Sequence, residues 1–169
     1  MLDIYKLGED ILRQKCKEIK EFDSALAMLA EAMIETMDEA EGVGLAGPQV
    51  GVDKKIFVIH LQNEEPMVFI NPEILETSIE TGPYEEGCLS LPGVYHNVTR
   101  PLRVKIQAQD LKGKAFVLNA DGLLARVIQH ENDHLKGKLY IDHLNEVEKE
   151  LIIKAYEKRN KTKKRKSRA

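Results

Sequence analysis

No apolar run in this 169-residue chain approaches the length needed to span a bilayer, and its amino-terminal stretch lacks the apolar core of a signal peptide. Both absences argue against a membrane partner and for residence in the cytoplasm. Cysteine is scarce. Cys16 and Cys88 are too few for a disulfide framework, so the fold must rest on apolar burial. Each thiol is then inert, a ligand or a nucleophile. No internal repeat and no linker divides the chain, whose length fits one domain with a core of its own. Apolar residues make up 43%, an ordinary share for a globular protein.

The net charge of −3 conceals an asymmetry. Nine Lys or Arg residues fall between Lys154 and Arg168 against one acid, Glu157, which leaves a balance of −11 on the rest of the chain. An acidic body with a basic end suits an anionic partner such as nucleic acid or a ribonucleoprotein. A solvated, disordered end that aids solubility has the same composition. The segment 160–169 is accordingly expected to be a basic, disordered tail after a single domain over 1–159.

What is present is concentrated in Gln129-His130-Glu131-Asn132-Asp133-His134, a His-Glu-x-x-His pattern. Histidines four apart on a helix project from one face, so their imidazoles can converge on one metal ion with the intervening glutamate beside it as a proton acceptor. Asp121 is a plausible N-cap for this helix, and Gly137 stands where a left-handed residue would end it. Leu123, Val127, His130 and His134 share a face, which sets the histidines at the edge of the core. A core helix with two satisfied histidines would have the same pattern.

Elsewhere, Ser24 to Glu41 reads as a helix capped by Asp23 or Ser24, with Leu26, Leu29, Ala30, Met33 and Met37 on one face. A Gly-rich segment follows over 42–51. Strand-like runs cover 55–61, 67–70 (stopped by Asn71-Pro72) and 104–110, with 114–118 as a hairpin partner across Leu111-Lys112-Gly113. Lys138 to Ile141 reads as a short strand. Glu146 to Arg159 reads as a last helix that turns Val147, Leu151, Ile152 and Ala155 inward. Strands grouped between helices argue for an α+β fold, with mixed or antiparallel strands around a central metal-binding helix and with amino- and carboxy-terminal helices.

Two histidines need a third ligand. Glu146, Glu148, Glu150 and Glu157 lie downstream, where a zinc peptidase would take it, although they resemble the solvated face of a lysine-rich helix. Cys88, in Glu86-Gly87-Cys88-Leu89-Ser90, is the upstream alternative. A thiolate with two imidazoles leaves a fourth position open for water. Cys16, between Lys15 and Lys17, reads as structural.

Gly42-Val43-Gly44-Leu45-Ala46-Gly47-Pro48-Gln49, Glu86-Gly87-Cys88-Leu89-Ser90 and Gln129-His130-Glu131-Asn132-Asp133-His134 together resemble the three signature motifs of the peptide deformylases, in that family's order and spacing. The likeness extends from Leu7-Gly8-Glu9-Asp10 to the last helix. Gly47 departs from it, standing where the family usually has a second alanine. So does 93–97 after Pro92.

The resemblance implies a metallohydrolase of protein biosynthesis that removes the formyl group from formyl-methionyl nascent peptides and releases formate. It implies Cys88, His130 and His134 as ligands of one divalent ion, natively Fe²⁺, with Zn²⁺, Ni²⁺ or Co²⁺ able to substitute. It implies Glu131 as general base, with the Gln49 amide and the Leu89 N–H as oxyanion donors. Val43, Gly44, Glu86, Gly87 and Val127 are the expected substrate contacts, with Leu89 beside them, and Gly42 and Gly44 would admit a close backbone approach. Asp133 should pair with Arg100 or Arg126. The expected state is a monomer, with the last helix and tail as a ribosome contact. A zinc peptidase, or a ribosome-binding module with a structural metal, are the rival readings.

Overall fold

Side-chain direction alternates face by face in the strand that organises the molecule. In the computed structural model, which describes residues 1–168, this strand is β2 (Ile56–Ile59), and all four of its residues are buried. Ile56 and Val58 point to one side, where they meet Leu26, Ala30, Met33 and Met37 of helix α1 (Ser24–Glu39). Phe57 and Ile59 point to the other side, toward Ala125, Val127 and Ile128 of helix α2 (Gly122–His134). A strand covered on both faces has no polar position to spare, so its sequence reads as an unbroken apolar run. Phe57 stacks on Phe69 at 4.8 Å between ring centroids. Truncating Phe57 to alanine would cost about 3–5 kcal/mol.

The sheet between the two helices has five strands in the order β1-β2-β3-β6-β7, every neighbouring pair antiparallel. The remaining members are β1 (Gly44–Ala46), β3 (Met67–Thr77), β6 (Arg103–Gln109) and β7 (Ala115–Asp121). A separate antiparallel hairpin joins β4 (Thr81–Cys88) to β5 (Leu91–Pro101). The fold is therefore α+β with antiparallel sheets and three helices. The third helix, α3 (Glu146–Arg168), lies against β5, with Ile152 and Tyr156 packed on Leu91, Val94 and Tyr140.

Local signals set the helix ends. The Asp23 side chain accepts from Leu26 N at 3.0 Å, as an N-cap should. Asp121 holds the N-cap position of α2 in extended backbone, without a side-chain cap bond. At the other end, Lys138 N donates to Asp133 O and Gly137 N to His134 O, and Gly137 has φ +75. These are the paired bonds of a Schellman ending. A Cβ at Gly137 would also lie 2.5 Å from the Arg13 carbonyl oxygen, so this end is pressed against the amino-terminal segment.

Several expectations need correction. β3 does not stop at Asn71-Pro72. Asn71 takes φ +50 in a bulge, and its side chain accepts from Ile19 N while donating to Ile19 O and Gln109 Oε1, so the strand continues to Thr77. Lys138 to Ile141 is not a strand. Tyr140–His143 forms a 3-10 turn whose Asp142 accepts from Leu139 N at 2.9 Å. α3 buries a face that differs in part from the one expected. Val147 and Leu151 are 69% and 62% exposed and Ala155 is exposed too, whereas Ile152 packs inward as expected and is joined by Ile153 and Tyr156 against the hairpin. The helix also runs on through Arg168, where a disordered tail was expected from residue 160. No glycine or proline interrupts its Lys- and Arg-rich sequence. Residue 169, the rest of that expected tail, lies outside the described residues. Among the described residues, no helix is long and apolar enough to cross a membrane.

Candidate metal centre

The end of β4 decides which candidate third donor meets the two histidines. Cys88 is its last residue, and the two-residue turn Leu89-Ser90 leads directly into β5. The hairpin is carried to α2 by Arg126, which donates to Val98 O, Gly82 O and Glu86 Oε2 at 2.7, 2.9 and 3.0 Å. Cys88 Sγ thereby meets the helix face bearing both histidines. One donor atom from each of Cys88, His130 and His134 lies within 4.8 Å of the others. Glu146, Glu148, Glu150 and Glu157 sit on α3 and take no part in this cluster; Glu148 pairs with His96 and Glu150 with Lys154.

The donor chemistry suits a divalent ion of borderline softness. Cys88 Sγ is 3.4 Å from His134 Nε2. His130 turns its Nδ1 to Glu86 Oε1 at 2.9 Å, which leaves Nε2 facing the cluster. Burial together with the neighbouring His130 holds His134 well below the usual imidazole range, so it is neutral and ready to ligate. Two buried polar atoms, Glu131 Oε1 and His134 Nδ1, have no hydrogen-bond partner among the described residues. An orphaned carboxylate oxygen beside three converging donors fits a group that completes the site.

Glu131 is buried one residue from His130, with Oε2 4.0 Å from His130 Nε2. Burial raises its carboxyl to about 7, assisted by the charges of Glu86 and Asp133 against the pull of His130. A carboxyl poised there can exchange a proton near neutral pH. Gly44 on β1 makes room for it, since a Cβ there would lie 2.5 Å from Glu131 Oε2 and 2.8 Å from Val127 Cγ1.

The cleft over this cluster holds about 440 Å³ and brings together Val43, Gly44, Gln49, Glu86, Gly87, Leu89 and Val127. β1 is an edge strand of the sheet, and Val43 O accepts from His60 N on the β2 side. By the alternation of an antiparallel pair, the N–H and C=O of Gly44 point away from β2. Leu89 lies in the turn outside the β4–β5 ladder. Gln49 sits in the 3-10 turn Gly47–Val50; its Oε1 accepts from Ala46 N at 3.0 Å, and its Nε2 lies 3.5 Å from Cys88 Sγ.

Glu86, one of the expected substrate contacts, lines the cleft while its carboxylate turns to three protein partners. It accepts from His130, from Arg100 at 2.7 and 3.0 Å, and from Arg126. Burial alone would raise this carboxyl, yet the hydrogen bonds from His130 and Arg100 leave it lowered to about 2. Arg100 then donates to Asp133 Oδ2 at 2.8 Å, the arginine of the two expected, and Asp133 also meets His143 Nε2 at 2.7 Å. A chain of charges thus runs from the back of His130 to the surface.

Ser90 and Tyr140 were not singled out from sequence as parts of the site, and Arg100 and Arg126 were expected only as partners of Asp133. Arg100 carried a usable signal. It follows Val94, His96 and Val98 at period two on the inward face of β5, where a charge needs a partner. Tyr140, whose ring stacks near His130 at 6.1 Å, carried none.

Comparison with known proteins gives a consistent result. The family described as polypeptide deformylase matches residues 1–150. A peptide deformylase of Prochlorococcus marinus (strain AS9601) is 45% identical over 166 residues, covering 94% of this chain and 83% of its own. One from Borreliella burgdorferi is 49% identical over 149 residues, covering 87% and 90%. Among solved structures, a peptide deformylase from Legionella pneumophila superposes with a TM-score of 0.93 at 38% identity, over 98% of each chain.

Proposed function

The chain belongs to the polypeptide deformylase family, and on that footing we propose that Cys88, His130 and His134 hold the divalent metal while Glu131, Gln49 and Leu89 serve the reacting amide. The reaction is that of a peptide deformylase, a metallohydrolase that removes the formyl group from the amino-terminal methionine of formylated peptides. When bound, the ion supplies a Lewis acid for the formyl carbonyl and lowers the pKa of a water molecule toward roughly 7.

Glu131 accepts the proton of the attacking water and passes it to the departing amine as the C–N bond breaks, leaving formate and a free amino terminus. Negative charge develops on the formyl oxygen, and the Gln49 amide and the Leu89 N–H donate to it. Removing one such donor costs about 10²–10³ in turnover. The outward N–H and C=O of Gly44 pair with an extended peptide, as in strand addition. Val43, Leu89 and Val127 enclose the methionine side chain, and Gly87 keeps the opposite wall thin. The Glu86 carboxylate orients His130 from behind, so any contact of Glu86 with substrate is made by its backbone.

The observation that carries this reading is the convergence of Cys88, His130 and His134 beside an unpaired Glu131 oxygen. Formate release from a formyl-Met tripeptide, with Glu131→Ala as control, tests it. Turnover in wild type that disappears in the control supports the base assignment; equal turnover in both removes Glu131 from the mechanism.

Fe²⁺ is the native ion on this reading, with Zn²⁺, Ni²⁺ or Co²⁺ as substitutes. A thiolate beside iron invites oxidation, so activity per bound metal should fall on purification in air. One chain suffices, since every donor comes from it, and the enzyme works in the cytoplasm where nascent chains emerge. Lys158, Arg159, Lys161, Lys163 and Arg165 are exposed along α3, a cationic ridge suited to the ribosome surface. Replacing Lys158, Lys161 and Lys163 by glutamate should abolish salt-sensitive cosedimentation with ribosomes; undiminished cosedimentation would dismiss the ridge.

A further inference from the structure

We propose that Ser90 is a positioning residue that aims the Gln49 amide, an inference that rests on Gln49 acting as an oxyanion donor. Gln49 is 1% exposed and Ser90 fully buried, so neither side chain can turn to water for a partner. The Gln49 amide is gripped at both ends. Ala46 N donates to Oε1 at 3.0 Å, which excludes the flipped orientation because a flip would face two donors. Nε2 carries two hydrogens. One is directed to Ser90 Oγ at 3.2 Å, and the sulfur of Cys88 lies 3.5 Å away on its other side.

Ser90 thus occupies one N–H and leaves the second directed at the ligand cluster. With Oε1 alone held, the amide plane could pivot about its last torsion, and a catalytic hydrogen bond loses strength steeply as its angle opens. Alignment, not affinity, is what Ser90 contributes.

The two residues also share one backbone support. Tyr5 N donates to Gln49 O at 2.7 Å and Leu7 N to Ser90 O at 2.9 Å. A single extended segment, bonding through alternate residues, holds the Gly47–Val50 turn and the Leu89-Ser90 turn together. The spacing between Gln49 and Leu89, the two oxyanion donors, is therefore set from behind by this amino-terminal strap, with the Ser90 hydroxyl closing the arrangement at side-chain level. A donor pair preset in this way needs no rearrangement as charge develops.

The experiment is a double-mutant cycle with Ser90→Ala, Gln49→Ala and the double variant, reading kcat, KM, bound metal and thermal midpoint on a formyl-Met tripeptide. Gln49→Ala should lower kcat by about 10²–10³. Ser90→Ala should lower kcat by roughly tenfold, a partial loss of that one interaction, with KM and metal content unchanged. In the Gln49→Ala background, Ser90→Ala should cost nothing further. The same fold-loss in both backgrounds, wild-type kcat in Ser90→Ala, or loss of metal would each overturn the role of Ser90. Wild-type turnover in Gln49→Ala would instead overturn the oxyanion reading itself. Ser90→Cys, of similar volume but a weaker acceptor, carries the same test if the alanine variant fails to fold.

Discussion

Gly44 and Glu131 occupy adjoining space across the cleft, and a methyl group on Gly44 would stand 2.5 Å from Glu131 Oε2. Edge strand β1 and helix α2 are thus fitted together where a side chain is missing. Gly44→Ala is expected to displace Glu131 while sparing the ligands, with kcat/KM falling by about 10²-fold, the usual cost of misplacing a reacting group. Steady-state kinetics beside metal analysis checks this; a fall in metal content would show that the damage lies at the ligands.

The two thiols should separate chemically once metal is removed. Burial pushes Cys16 up to about 11, whereas Cys88 is partly exposed at the cleft. Iodoacetamide at pH 8 should label Cys88 in metal-free protein and leave Cys16 untouched, and added metal should protect Cys88. Peptide mapping by mass spectrometry decides it. Equal labelling of Cys88 with and without metal would remove it from the ligand set.

Glu86 should govern metal retention without touching the ion. Its carboxylate holds His130 Nδ1 at 2.9 Å, and Glu86→Gln weakens that bond while leaving Arg100 and Arg126 short of a countercharge. Affinity is expected to fall about 10–100-fold, measurable by competition with a chelator.

Asp142 predicts a pH dependence of stability. Burial works against its charge, but hydrogen bonds from Arg13, Leu139 N and Lys149 hold its carboxyl below the usual value. A group with a lowered folded-state pKa stabilises the protein above its unfolded value, near 3.9, and that stability is lost as pH falls through the folded value. Asp142→Asn should therefore lower the thermal midpoint by about 2–4 °C at pH 7, near 1 kcal/mol for a partly exposed pair. The difference should vanish toward pH 2. A deficit that persists there would assign the loss to packing.

Gly47 fits this chain where alanine would not. A Cβ there would lie 2.8 Å from both Lys54 O and Val52 O, backbone atoms that cannot turn aside. Gly47→Ala is expected to cost about 1–3 kcal/mol in denaturant unfolding. An unchanged midpoint would mean that the 52–54 loop yields easily.

Legibility in the sequence followed the range of the forces involved. The caps at Asp23 and Gly137, the β6–β7 hairpin and the helical spacing of His130 and His134 are local, and each was readable from a few neighbouring residues. That Cys88, His130 and His134 converge beneath one cleft was readable too, because short motifs carry them. The β4–β5 hairpin was not. Its strands hold Gly82, Pro83, Gly87, Pro92 and Gly93, and the pairing is anchored by Arg126 from α2, 28 residues beyond Val98, as well as by the bond of Arg100 in β5 to Glu86 in β4. The bulge at Asn71 depends likewise on Ile19, 52 residues away. The buried face of α3 was misread in part because its exposed Val147 and Leu151 look inward by hydropathy alone, while the hairpin selects Ile153 and Tyr156 beside the expected Ile152.

β1 spans only Gly44–Ala46 at the border of the five-stranded sheet. An open strand border is a standing invitation to aggregation, since any extended chain can dock there. If peptides pair with this border, as proposed above, it cannot be closed with a charge or a proline. Brevity is the protection left to it. Three residues would suffice to clasp the start of one chain, and they give a second molecule too short a template for stable cross-pairing.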